Sequence, residues 1–216
     1  MSDSTQENTE EFRLRAINWI QDNLMPRGTT SSVEDDNERR KADQALQRKI
    51  YDAGFSGLAV PIEYGGAGLT LEHQRAWAEE TAQYETPQGY MVSIGMIVPT
   101  LLDHASETIK KKHLPRMLAG EENWIQLLSE PSGGSDMAGV LTRATRDGDT
   151  WVINGSKMWS SGALWADYGL CLARADWNAS KHAGLGMFAI PLKTKEVTID
   201  PIVPASEEPV HFFTEY

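Results

Sequence analysis

Cysteine is almost absent from this chain of 216 residues, in which Cys171 is the only one. A single cysteine excludes a disulfide within the chain and a structural zinc site with four cysteine ligands. None of the five histidines pairs with another at metal-ligand spacing, so the sequence predicts no metal site. A chain of this length can bury a sizeable apolar core without such cross-links.

Basic residues are few beside the acidic ones. The chain has 20 lysines and arginines against 31 aspartates and glutamates, which gives a formal net charge of −11. A protein that binds nucleic acid needs a basic face for the phosphates, so this balance predicts no nucleic-acid partner. The excess of negative charge is instead typical of a protein that repulsion between molecules keeps in solution.

Long apolar segments are missing as well. No stretch approaches the roughly 20 apolar residues that a membrane-spanning helix needs. Residues 1–12 are polar and acidic, without the basic and apolar regions of a signal peptide. The sequence therefore predicts no membrane partner, and we expect a cytoplasmic protein.

Two kinds of periodicity divide the chain near Gly120. Residues 1–120 repeat their apolar positions at helical spacing, as in Phe12, Ala16 and Ile20. Residues 121–216 contain short runs of β-branched and aromatic residues between turn signals. The sequence predicts an α+β chain, with an N-terminal all-α helical domain over 1–120 and a β-barrel-like all-β domain over 121–216.

Two segments of the helical half lead to specific expectations. The glycine-rich residues 54–69 predict a long surface connection. Residues 90–102 are apolar nearly all round, so we expect a buried helix there, with a kink at Pro99. In the other half, strands are expected at 124–129, 140–146, 151–154, 157–160, 168–174, 186–191, 197–199 and 210–216.

The segment Gln-Leu-Leu-Ser-Glu-Pro-Ser-Gly-Gly-Ser-Asp, residues 126–136, is a first candidate for chemistry. A strand ends at the hydroxyl of Ser129, and a glycine-rich turn follows that lets a ligand approach the main chain. The segment lacks the Gly-Lys-Ser/Thr ending of a phosphate-binding P-loop and the Gly-x-Gly-x-x-Gly of a Rossmann nicotinamide site. From composition alone, an ordinary turn between strands is the better interpretation.

The segment Asn-Gly-Ser-Lys-Met-Trp-Ser-Ser-Gly, residues 154–162, is the second candidate. A tryptophan at a strand end beside hydroxyls can form the wall of a site for a planar ring system and hydrogen-bond its edge. For Trp159 taken alone, packing in the core or at an interface is the better interpretation.

Taken together, the two segments resemble the acyl-CoA dehydrogenase family, which has a Ser/Thr-Glu-Pro-x-x-Gly-Ser-Asp loop and an Asn-Gly-x-Lys-x-Trp strand. Residues 54–68 resemble the N-terminal loop of the family, and residues 112–121 resemble the helix before its β domain. The resemblance extends over nearly the whole chain from about residue 12. It implies a helical domain, a middle β domain and a further C-terminal helical domain, with FAD between the last two.

The resemblance also assigns site residues by position. It implies that FAD is bound by Gln126, Leu128, Ser129, Trp159, Ser160 and Ser161, with Trp159 stacked on the flavin ring. Ser135 matches the position that contacts the pantetheine arm of acyl-CoA. No catalytic residue is assigned, because the general base of the family, a glutamate, is expected in the C-terminal domain. Residues 211–216 resemble a strand near the end of the β domain, so we expect this chain to stop before that domain.

The implied activity is α,β-dehydrogenation of an acyl-CoA thioester, with hydride transfer to flavin N5. The implied partners are acyl-CoA, an electron-transfer flavoprotein and further subunits in a homo- or hetero-oligomer. The alternative is a non-catalytic or split subunit that needs a partner chain for the base and the rest of the FAD site, and we expect the isolated chain to be inactive. Tyr90, Ile94 and Val98 could contact the acyl tail, although core packing is the better interpretation of these three.

Overall fold

The computed structural model describes residues 7–29, 35–202 and 211–215, the last range by its backbone alone. Contacts between α-carbons divide the chain into two units, Met1–Glu121 and Glu122–Tyr216. The first unit is helical and the second is built mainly from strands. This order confirms the predicted fold class of a helical N-terminal part followed by a β domain.

The described residues of the first unit form five α-helices. Helices α1 to α5 span Thr9–Asn23, Asp36–Asp52, Leu71–Thr81, Val98–His104 and Glu107–Leu118. Polar side chains cap the first two: Asn8 accepts from the N–H of Glu11, and Asp35 accepts from the N–H of Asn37. Such caps satisfy N–H groups that the first turn of a helix leaves without a partner. None of the described helices combines the length and apolar character needed to cross a bilayer.

The connection 54–69 belongs to the core of the first unit, so the prediction of a surface connection is wrong. Phe55 and Leu58 are buried with apolar residues of α1 and α2, and the Phe55 ring stacks on Trp77 of α3 with the centroids 4.6 Å apart. Backbone hydrogen bonds such as Gly68 N to Val60 O, 2.9 Å, close the segment on itself. Because its polar backbone groups are paired internally, its apolar side chains can turn inward.

The apolar run 90–102 is helical, as predicted, but its helix is irregular. After a 3₁₀ turn at Gln88–Tyr90, residues 91–104 are helical without a break, and a π-helical segment at Ser93–Ile97 leads directly into α4. Pro99 lies in the first turn of α4. Proline has no N–H to donate and its ring crowds the preceding turn, which a wider π turn relieves. The run is also only partly buried, because Met91 is 65% exposed.

The described residues of the second unit form eight strands in two sheets. Strands β1 to β8 span Trp124–Leu127, Arg143–Asp147, Thr150–Asn154, Ser156–Lys157, Tyr168–Arg174, Leu185–Pro191, Thr198–Ile202 and His211–Glu215. In the five-stranded sheet, β5 is central and pairs with β1 and β2 in parallel and with β6 antiparallel, while β3 pairs with β2. In the three-stranded sheet, β8 pairs antiparallel with β4 and β7.

Strand β5 has the bounds expected from the sequence, whereas others are shorter. The strand expected from residue 140 begins at Arg143, because the N–H groups of Leu141 and Thr142 donate to the side chain of Glu130 instead of to a neighbouring strand. The strand expected over 157–160 ends at Lys157. Of the strand expected over 210–216, the first and last residues lie outside the described residues.

Candidate functional site

Strand β1 carries the first motif and has two different faces. Ile125 and Leu127 are buried in the apolar cluster of the second unit, together with Cys171 on the adjacent strand β5. Gln126 lies between them and is half-buried. This alternation turns Gln126 away from that cluster, and its side chain is partly exposed.

A tight turn follows β1 and sets the shape of the loop. Glu130 and Gly133 exchange two backbone hydrogen bonds, each 3.0 Å long. A Cβ added to Gly134 would lie 3.7 Å from the hydroxyl oxygen of Ser129, so the loop folds back beside that hydroxyl. Ser135 is exposed at the outer part of the loop.

A buried ion pair anchors this loop. The Lys157 ammonium lies 2.9 Å from Oε1 of Glu130, with the side chains 0% and 4% exposed. The Glu130 carboxylate also accepts from the N–H groups of Leu141, 2.7 Å, and Thr142, 2.9 Å. A buried carboxylate with an ammonium and two N–H donors around it is well compensated for its loss of water.

Hydrogen bonding shifts the titration of Glu130. Burial raises the pKa of its carboxyl, but hydrogen bonds from Thr142, from the N–H of Leu141 and from Lys157 outweigh burial and hold the pKa below its ordinary value. The carboxyl is therefore ionised at neutral pH, as an anchor for the lysine ammonium requires.

Two further hydrogen bonds join the two sequence motifs directly. Lys157 Nζ donates to the carbonyl of Leu128, 3.1 Å, and the N–H of Met158 donates to the carbonyl of Ser129, 2.9 Å. The structure therefore brings the end of β1 next to the residues that precede Trp159. Two segments far apart in the chain form one surface.

The second motif ends in an unusual conformation at Trp159. Its φ is +61°, a left-handed value that no other non-glycine residue adopts in the described part of the chain. The side chain of Trp159 is 53% exposed. Such backbone costs about 1–3 kcal/mol and persists only where the surroundings hold it, which often marks a functional site.

The serines after Trp159 differ from each other. Ser160 is buried, and its hydroxyl oxygen has no hydrogen-bond partner among the described residues. Ser161 is exposed. A buried hydroxyl without a partner is uncommon in proteins and is consistent with a polar ligand at this position.

Among the predicted site residues, the structure brings Leu128 and Ser129 together with the Trp159 segment. It places Gln126 on the non-core face of β1 and Ser135 on the exposed loop. The sequence analysis assigned no role to Lys157, which joins the two motifs, although the Asn-Gly-x-Lys-x-Trp pattern includes it. Residue type alone predicts an exposed side chain, because lysine is ordinarily exposed.

The first unit contains an apolar cavity of about 380 Å³. Residues that surround it include Phe55, Leu58, Trp77, Ile94, Val98 and Leu102. Tyr90 does not line it and instead donates its hydroxyl to the carbonyl of Gly120, 2.8 Å. Of the three residues considered for an acyl tail, Ile94 and Val98 therefore line the cavity and Tyr90 packs in the core.

Comparison with known families decides the identity of the chain. Residues 6–121 match the acyl-CoA dehydrogenase N-terminal domain, and residues 126–208 match the acyl-CoA dehydrogenase middle domain. The chain belongs to the acyl-CoA dehydrogenase family. Both sequence motifs lie within the middle-domain match.

Individual family members are similar over most of this chain. Acyl-CoA dehydrogenase IpdE1 of Mycobacterium tuberculosis (strain ATCC 25618 / H37Rv) is 35% identical over 204 residues, which cover 91% of this chain and 52% of IpdE1. The crystal structure of the ChsE4-ChsE5 complex from Mycobacterium tuberculosis matches with a TM-score of 0.76 and 27% identity, over 100% of this chain and 54% of that chain.

A second solved structure, the Tcur3481-Tcur3483 steroid ACAD, matches with a TM-score of 0.75 and 29% identity, over 98% of this chain and 55% of that chain. This chain thus spans about half the length of the curated relatives that it matches.

Proposed function

We propose that this chain contributes the N-terminal and middle domains of an FAD-dependent acyl-CoA dehydrogenase. The reaction removes an α-proton and a β-hydride from an acyl-CoA thioester. Family membership supports this proposal. The observation that carries it is the pair of hydrogen bonds, from Lys157 to Leu128 and from Met158 to Ser129, that joins the two motifs into one surface.

The residues of this surface fit a flavin. The half-exposed Trp159 offers a flat apolar face, and the hydroxyl of Ser160, which lacks a protein partner among the described residues, offers a hydrogen bond to a polar edge. When bound, FAD supplies the hydride acceptor. We assign flavin contacts to Gln126, Leu128, Ser129, Trp159, Ser160 and Ser161.

The protein groups have two tasks at such a site. Trp159 would orient the bound flavin, and the hydroxyl and N–H groups of Ser129 and Ser161 would stabilise negative charge on it. Ser135, on the exposed loop, holds the pantetheine arm. None of the described residues is assigned as the general base.

We infer that a further domain or a partner chain supplies the base and the rest of the FAD site. Two of the similar solved structures are named for pairs of proteins, ChsE4-ChsE5 and Tcur3481-Tcur3483. A hetero-oligomer with a related chain is therefore the assembly that we propose, with an electron-transfer flavoprotein as the electron acceptor. A subunit without chemistry of its own is the second candidate.

The apolar cavity of the first unit suits the acyl group. Its volume of about 380 Å³ lies within the range of small-molecule pockets. One relative is named a steroid ACAD, and we propose a similarly bulky apolar acyl group for this protein. Val98→Phe narrows the cavity, and we expect it to raise KM for a bulky acyl-CoA more than for a short straight-chain one.

Titration of the complete assembly with FAD tests the cofactor assignment. We expect Trp159→Ala to weaken FAD binding by about tenfold or more, while Trp151→Ala, at another exposed tryptophan of the same unit, leaves it unchanged. FAD affinity that is equal in the two variants would refute the assignment.

A further inference from the structure

One peptide unit of the first motif is held on both sides by residues of the second. The carbonyl of Leu128 accepts from the Lys157 ammonium, 3.1 Å, and the carbonyl of Ser129 accepts from the N–H of Met158, 2.9 Å. Leu128 and Ser129 are half-buried directly after β1. Because these two hydrogen bonds flank Ser129, they fix the plane of the Leu128–Ser129 peptide.

The direction of the Ser129 N–H follows from that of the Leu128 carbonyl. The described chain has no cis peptide bond, and in a planar trans peptide the C=O and the N–H point in opposite directions. The carbonyl points to Lys157, whose side chain is fully buried, so the N–H of Ser129 points away from the buried ammonium. No backbone carbonyl in the described part of the chain accepts from this N–H. It is therefore a candidate donor to a ligand.

The buried ammonium acts on this N–H through the peptide itself. A cation that donates to a carbonyl draws electron density from the peptide, and hydrogen bonds in a chain polarise one another. Because Lys157 is removed from water, its charge is screened much less than that of an exposed lysine. The N–H of Ser129 is thereby a stronger donor to negative charge than an ordinary backbone N–H.

Glu130 keeps the ammonium in place without cancelling this effect. Its carboxylate lies 2.9 Å from Lys157 Nζ and also accepts from the N–H groups of Leu141 and Thr142. These two donors offset part of the carboxylate charge. The ammonium is the member of the ion pair that donates to the Leu128 carbonyl. Since Coulomb energy falls with distance, the cation dominates at this peptide.

We propose that Lys157 is a positioning residue that raises the reduction potential of the bound flavin. It fixes the Leu128–Ser129 peptide and polarises the N–H of Ser129, one of the residues to which flavin contacts are assigned. A stronger donor favours the reduced flavin, which carries more negative charge than the oxidised flavin. The inference rests on the proposed function, because it takes FAD as the ligand.

Reduction potentials of the FAD-loaded complete assembly, measured by equilibration with a dye of known potential, test this role. We expect Lys157→Met to shift the balance between the two flavin forms about tenfold toward the oxidised form, which is about 30 mV for a two-electron couple. Glu130→Gln disrupts the same anchor but keeps the ammonium, so the potential should stay level or rise. Lys193→Met, at an exposed ion pair of the same unit, should leave the potential unchanged.

The different responses of the two buried residues separate an electrostatic role from a merely structural one. Loosening of the loop alone would shift the potential in the same direction when either partner is replaced. A potential that falls equally in Lys157→Met and Glu130→Gln, or that does not change in Lys157→Met, overturns the proposal. If Lys157→Met does not fold, the double variant Lys157→Met, Glu130→Gln is compared with Glu130→Gln, and the same tenfold shift is expected.

FAD binding and turnover of the wild-type assembly separate this inference from the proposed function. Oxidation of an acyl-CoA by an assembly whose potential is the same with and without Lys157 would refute the inference and leave the proposed function standing. The expected shift in an FAD-loaded assembly that oxidises no acyl-CoA would do the reverse. A wild-type assembly that binds no FAD would refute both.

Discussion

Lys157 is a charged residue with no exposed surface, and its carboxylate partner is Glu130. Replacing Lys157 with methionine keeps the side-chain length but leaves the buried Glu130 carboxylate without its ammonium partner. We expect Lys157→Met to lower the free energy of unfolding by about 3–5 kcal/mol, measured by urea denaturation.

An exposed ion pair provides the control for that substitution. Lys193 pairs with Asp167 at 2.6 Å, but its side chain is 62% exposed. Lys193→Met is expected to cost no more than about 1 kcal/mol. If Lys157→Met and Lys193→Met lowered the free energy of unfolding equally, the buried ion pair would not anchor the loop after β1. The double variant Lys157→Met, Glu130→Gln removes both charges, and it should recover part of the loss.

The lowered pKa of Glu130 has a consequence for acid stability. A carboxyl with a depressed pKa in the folded state stabilises the protein above its ordinary pKa of 4.5, and this contribution is lost as pH falls through the folded value. The destabilisation caused by Glu130→Gln should therefore be constant from about pH 7 down to about pH 5.5, and it should shrink below about pH 4.5. Urea denaturation of wild type and variant across this pH range measures the destabilisation. A difference between the two midpoints that grows as the pH falls would contradict the lowered pKa of Glu130.

Trp159 combines an exposed side chain with left-handed backbone. Trp159→Gly and Trp159→Ala both give up the buried half of the ring, but only glycine adopts this backbone freely. We expect the glycine variant to be more stable than the alanine variant by about 1–2 kcal/mol, while FAD affinity falls in both. Thermal denaturation of the flavin-free proteins measures the difference in stability. An alanine variant as stable as the glycine variant would show that the left-handed backbone at residue 159 stores no strain.

At the scale of elements, the connection 54–69 depends on close backbone approach. A Cβ added to Gly66 would lie 2.6 Å from the carbonyl carbon of Val60, closer than real atoms come. We expect Gly66→Ala to lower the free energy of unfolding by about 1–3 kcal/mol.

Gly95 is the control for that substitution, because a Cβ there meets nothing within 4 Å. It lies in the π-helical turn, where alanine raises helix propensity, so Gly95→Ala should leave stability unchanged or raise it by up to about 1 kcal/mol. Chemical denaturation compares the two variants. Equal effects would mean that the connection is not tightly packed.

How far the sequence predicts each element depends on where its backbone groups find partners. Strand β5 is predicted correctly from an apolar run, because its hydrogen bonds go to neighbouring strands. The segment before Arg143 is predicted as strand and is not, because two of its N–H groups donate to the side chain of Glu130. A partner 11 residues away in the chain leaves no local signal.

The same reasoning applies to the site. Residue types and spacing are enough to place Ser129 and Trp159 in one family pattern, and the structure confirms that their segments lie together. The buried role of Lys157 depends on tertiary contacts. Sequence periodicity does not encode such contacts.

At the scale of the whole molecule, the two units have different tasks in the proposed reaction. In that proposal, the second unit carries the flavin contacts, and the first unit carries the apolar cavity. The chain spans about half the length of its relatives, and the reaction needs a general base from a further domain or a partner chain. Co-purification with a related chain that carries such a glutamate is the expected result of isolating the protein from its host.

Anaerobic reduction of the bound flavin tests the central claim most directly. The flavin-loaded assembly is mixed with straight-chain, branched and steroid side-chain acyl-CoA thioesters, and the absorbance of the oxidised flavin is recorded. We expect at least one thioester to bleach the flavin and to be converted to its α,β-unsaturated product in equal amount. A fully flavin-loaded assembly whose absorbance does not change with any of these thioesters would contradict the claim.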